Sequence, residues 1–97
     1  MNWIKMEDFD YSRTGEVIMV MKDKKGNNIV REDSLSKSIY KDEDPRKIFV
    51  KDIERRNYVV VERDGYFEMF RFSRASIKNV IAFVFKNEII NDCLNSI

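Results

Sequence analysis

The dipeptide Asp64-Gly65 constrains this chain more than any other feature of its sequence. A two-residue hairpin loop of type I′ needs positive φ at both central positions, and Asp-Gly is among the few pairs that accept this. The pair stands between "NYVVVER" and "YFEMFRF", β-branched and aromatic runs that suit a pleated surface. Loop length then sets the register: Arg63 opposite Tyr66, Val61 opposite Glu68 and Val59 opposite Phe70. On the other face Glu62 meets Phe67, Val60 meets Met69 and Tyr58 meets Arg71.

One face of this hairpin therefore collects Val59, Val61, Tyr66, Phe70 and Phe72, a natural core. The second face collects Tyr58, Val60, Phe67, Met69 and Arg71. That mixture of rings, Met and Arg is favoured at the centres of protein interfaces. An antiparallel sheet in a two-layer domain keeps its outer face polar, and this hairpin does not alternate so cleanly. Either helices cover both faces, or the second face is a partner-binding patch.

"EVIMVMK" at 16–22, the Gly-containing "DKKGNN" and then "IVRE" predict a first hairpin. Val17, Met19 and Met21 lie on one side of it, Ile18 and Val20 on the other. "SLSKSIY" reads as a short helix, and Asp44 with Pro45 as the N-cap and first turn of another. Ile48, Phe49 and Ile53 recur in that second helix at helical spacing; "KIFV" as a strand is the alternative. Ser73 stands where an N-cap belongs, and Ile77, Val80, Ile81, Val84 and Phe85 predict a long C-terminal helix. Phe83, Ile90 and Leu94 fall off that main stripe and form a candidate second contact or oligomer surface. The expected fold is a small single α+β domain over residues 1–97, a mostly antiparallel sheet of two hairpins with helices packed on it. Its element order reads as ββαββα, a loose duplication in which Asp33 and Ser73 occupy equivalent places.

Lys and Arg number 18 against 17 Asp and Glu, a net charge of +1. Such a chain is neither an acidic DNA mimic nor a globally basic duplex binder. The single cysteine, Cys93, forms no intramolecular disulfide and fits a reducing compartment, so a cytoplasmic location is expected. No segment has the length of a signal peptide's apolar core or of a transmembrane span.

The chain has no histidine, which removes the usual general base, the usual partner of a Ser or Cys nucleophile and the commonest transition-metal ligand. Asp8, Asp10 and Ser12 begin with calcium-loop spacing, but Arg13 stands where that loop needs Gly and Met19 where it needs a bidentate Glu. Asp42, Glu43 and Asp44 precede a helix start, where negative charge complements the helix dipole. No enzyme, metal site or cofactor is expected.

"RDGYFEMFRF" superficially resembles the aromatic strand of an RNA-recognition motif, and the likeness implies that Tyr58 and Phe67 could stack bases while Arg71 holds phosphate. Glu68 replaces that family's small residue between the rings, and the element order differs from the family's. Single-stranded nucleic-acid binding is thus the alternative reading. The leading one is a non-enzymatic binding protein that inhibits or regulates a larger protein by occupying its surface, with a homodimer as a further possibility. The wealth of Lys, Asn, Ile and Met and the lack of catalytic equipment suit the small inhibitors of phages and mobile elements, including anti-defence proteins of the anti-CRISPR type.

Overall fold

In a computed structural model, residues 2–97 are described. They form β1 (Ile4–Lys5), a 3-10 turn (Met6–Asp8), β2 (Gly15–Lys22), β3 (Asn28–Tyr40), α1 (Pro45–Ile48) and α2 (Val50–Glu54). The chain continues through β4 (Tyr58–Arg63), β5 (Tyr66–Phe72), a second 3-10 turn (Ile77–Asn79), β6 (Val80–Phe85) and α3 (Lys86–Asn95). The six strands make one antiparallel sheet in the order β1-β6-β2-β3-β5-β4, curled into a half-barrel.

The Asp64-Gly65 turn has φ of +47° and +83°, and β4 pairs with β5 in the register that a two-residue loop imposes, from Tyr58 opposite Arg71 to Arg63 opposite Tyr66. The first hairpin forms as β2 and β3. Asp44 caps α1 by accepting the Arg46 amide at 2.9 Å, with Pro45 in the first turn. The helical reading of this stretch holds in two short pieces that break at Phe49.

Two expected helices are strands instead. "SLSKSIY" continues β3, which pairs with β2 up to Leu35 and with β5 from Leu35 to Tyr40. One long strand thus bridges both hairpins, and this non-local pairing overrides the weak helical preference of a Ser-rich segment. Residues 80–85, "VIAFVF", form β6 between β1 and β2, so the ββαββα order and its duplication do not occur. Phe83, Val84 and Phe85 are buried on both faces of β6 while Ile81 is exposed; a strand covered on both faces reads as a continuous apolar run, and such a run satisfies helical spacing by accident. Its β-branched and aromatic content favours the strand. Only residues 86–95 of the expected C-terminal helix are helical.

Ser73 caps no helix. The buried carboxylate of Asp33 on β3 accepts the amides of Ser73 (3.1 Å), Arg74 (3.0 Å) and Ala75 (3.2 Å), fixing the bend between β5 and the second 3-10 turn.

The core fills the concave side: Val17, Met19 and Met21 from β2, Leu35 from β3, Phe70 and Phe72 from β5, and Phe83 and Phe85 from β6. The N-terminal segment crosses this side as a strap. Phe9 meets Phe83 edge-on at 5.0 Å, and the Tyr11 ring meets Phe70 at 5.3 Å. Arg63 donates from Nη2 to the carbonyls of Asp10 and Tyr11. No helix among the described residues is long and apolar enough to cross a membrane.

Candidate functional site

The second face of the β4–β5 hairpin is occupied from within the chain. Phe49, at the break between α1 and α2, lies between the rings of Tyr40 (6.3 Å) and Tyr58 (5.9 Å). The Arg46 guanidinium stands 5.6 Å over the ring of Phe67 and pairs with Asp44 at 2.8 Å. That bond holds the Asp44 carboxyl below its ordinary range and raises Arg46 further. Met69 is only 4% exposed; Tyr58, Val60 and Phe67 are half-buried. Arg71 alone stays exposed, over the Tyr58 ring at 5.8 Å. The structure therefore brings these five residues together, beneath a lid of α1 and α2. The same lid lies over the rings that the likeness to an RNA-binding strand would have stack bases.

The second candidate surface is divided. Phe83 lies on β6 at 0% exposure in the centre of the core, whereas Ile90 and Leu94 lie on α3 at 55% and 63%. No residue of α3 is buried. Helical spacing from Ile90 reaches Cys93 and Leu94, all exposed, so the three form an apolar stripe open to solvent, and Ile97, exposed, lies two residues past the end of α3. Its signal in the sequence is the i, i+3, i+4 spacing of Ile90, Cys93 and Leu94, which a helix running back to Phe83 obscures.

The polar side of α3 carries Asn87, Glu88, Asn91, Asp92 and Asn95, with no cation. Glu88 pairs with Arg13, and Lys86 pairs with Glu32 on β3 at 3.3 Å; these contacts anchor the helix start. Ile89 is half-buried on the sheet side while the stripe faces away.

Among the described residues no group of three or more Cys, Asp or Glu is placed to hold a metal ion. The acidic Asp8, Asp10 and Ser12 stretch is a turn in which Asp10 accepts the Ser12 hydroxyl at 2.6 Å, which lowers the Asp10 pKa. The chain matches no protein-family model, no curated protein and no solved structure with which it was compared.

Proposed function

We propose that the chain is a non-enzymatic binding protein that inhibits or regulates a larger protein by covering part of its surface, and that it docks through the apolar stripe of α3. The observation that carries this reading is the exposure of Ile90, Cys93 and Leu94 on a helix with no buried residue, with Ile97 exposed just beyond its end. A stripe of this kind is the usual means by which a helix enters an apolar groove on a partner. A helix lying on an anionic lipid surface would carry Lys and Arg on its polar side, and α3 carries Asn, Asp and Glu there. An exposed lone cysteine suits a reducing compartment, in keeping with a cytoplasmic inhibitor of the kind phages and mobile elements encode.

The test compares wild type with Leu94→Asp, first by light scattering on a size-exclusion column and then by co-purification from candidate host cells. The expected result is a monomer alone, a stoichiometric complex with a larger protein, and loss of that complex in the variant with circular dichroism unchanged. Losing a central apolar anchor typically costs about 2 kcal/mol of binding, roughly a thirtyfold weaker complex. A wild-type dimer that Leu94→Asp dissociates would assign the stripe to self-association and end the docking reading. A complex that survives Leu94→Asp would place the contact elsewhere.

A further inference from the structure

A second surface feature lies away from α3, where the strap leaves β1 and passes the start of β4. A cleft of about 920 Å³ opens there, with Val59, Ile77 and Val80 among its apolar residues and Trp3, Lys5, Arg56 and Lys78 also lining it. The volume is that of a small-molecule site. Glu7 is its one acidic residue. Among the described residues, none of the three cations has a carboxylate within ion-pair distance, a condition they share with most of the Lys and Arg side chains of the chain. Trp3, the only tryptophan of the chain, is 42% exposed. Tyr11, also in the lining, is half-buried, and burial raises its pKa, so it presents a neutral phenol.

Arg56 singles this cleft out. It stands just past Arg55, the residue that closes α2, with φ of +57°, the left-handed position at which helices prefer glycine because a Cβ is strained there. The neighbouring chain holds it: its amide donates to Ile53 at 2.9 Å and its carbonyl accepts the Lys78 amide at 3.2 Å. Asn57 bonds the side chains of both Asp52 and Ser76, tying the end of α2 to the loop that carries Lys78. The two cations thus stand on one braced rim, in a backbone conformation that costs stability in exchange for a long cationic side chain. Strain retained at a cleft is a sign of use.

We propose that this cleft binds a nucleotide, free or as one unit of a single strand, with its base stacked on Trp3 and its phosphate held by Lys5, Arg56 and Lys78. Unpaired cations around an exposed ring over an apolar floor are the combination that recognises a phosphate joined to a planar base. An acidic peptide would use the cations and leave the ring and floor idle.

The single tryptophan supplies the readout. Trp3 fluorescence is titrated with a thymidine oligonucleotide of about eight units, with free AMP and with polyglutamate, at about 50 and about 200 mM salt. Quenching by the oligonucleotide is expected, with affinity falling about threefold across that range for the one phosphate neutralised, and about twentyfold where the strand sets Lys5, Arg56 and Lys78 on three successive phosphates. Saturable quenching by AMP at low concentration would identify a free nucleotide as the ligand, and quenching by the oligonucleotide alone a strand. Arg56→Gly relieves the backbone strain, so its urea midpoint should be equal or higher while its affinity falls at least about tenfold; Lys78→Gln should weaken binding without touching the backbone. No quenching at low salt, equal competition by polyglutamate, or unchanged affinity in both variants overturns the proposal.

Discussion

Four backbone amides converge on the carboxylate of Asp33, one from its neighbour Ser34 and three from consecutive residues, Ser73 to Ala75, about forty positions along the chain. The carboxylate is 7% exposed, whereas Ser73 and Arg74 are exposed residues and the Ser73 amide also donates to the Ser34 carbonyl at 3.1 Å, so water and that carbonyl recover part of what its removal takes away. Leaving buried donors unsatisfied costs about 1 to 3 kcal/mol, and bonds to a charged acceptor lie at the upper end. Asp33→Ala is therefore expected to lower stability by about 2 kcal/mol, with Asp33→Asn falling between, as read from urea unfolding. An unchanged midpoint would show that the loop from Ser73 to Ala75 holds its shape without the carboxylate. Sequence inspection marks Asp33 and Ser73 as places where a local structure begins; that the first organises the second follows only from their meeting in space.

Among the elements, β6 and α3 are consecutive and have opposite energetic roles. Phe83 on β6 is in contact with Phe9, Phe72 and Phe85 at ring separations of 5.0, 5.8 and 5.4 Å. Truncating such a side chain leaves a cavity, so Phe83→Ala should cost about 3 to 5 kcal/mol. Leu94 on α3 is 63% exposed, and Leu94→Ala should change stability by less than about 0.5 kcal/mol. Thermal unfolding of the two variants side by side checks this; similar losses would mean that α3 is as integral to the fold as β6. The lid formed by α1 and α2 sits between these extremes, with Pro45 fully buried while Ile48 and Val50 remain outside at 47% and 46%.

For the molecule as a whole, the curled sheet does not close on itself, and the N-terminal strap fills its concave side. Arg63 connects the two. Its side chain binds the strap carbonyls and stands 3.8 Å from the buried carboxylate of Glu68, which Lys37 approaches at 3.5 Å. Arg63→Met removes the strap's anchor and one of the two cations beside Glu68. Losing one partner of a buried charge is destabilising, here by about 2 kcal/mol because Lys37 remains. Hydrogen exchange should show the loss first as faster exchange in residues 9–13, before β2 or β6 is affected. Uniform acceleration across the sheet would mean that the strap and the half-barrel open as one unit.

The sequence alone was sufficient for the two hairpins, the register of β4 and β5, the capped start of α1 and the small α+β class. Each depends on contacts within a few residues or on a loop whose length permits one pairing. Composition likewise removed histidine-based chemistry and an intramolecular disulfide before any fold was known. The path of β3 across both hairpins, the strand at residues 80–85, the strap over the core and the cap supplied by Asp33 were decided by the tertiary structure. A short apolar run satisfies the helical and the extended pattern alike, and only the neighbours that bury both of its faces select between them. The same reason governs the candidate surfaces: helical spacing placed Ile90 beside Leu94, but the sheet took Phe83 into its core and α1 and α2 covered Met69, since exposure is a property of the assembled chain.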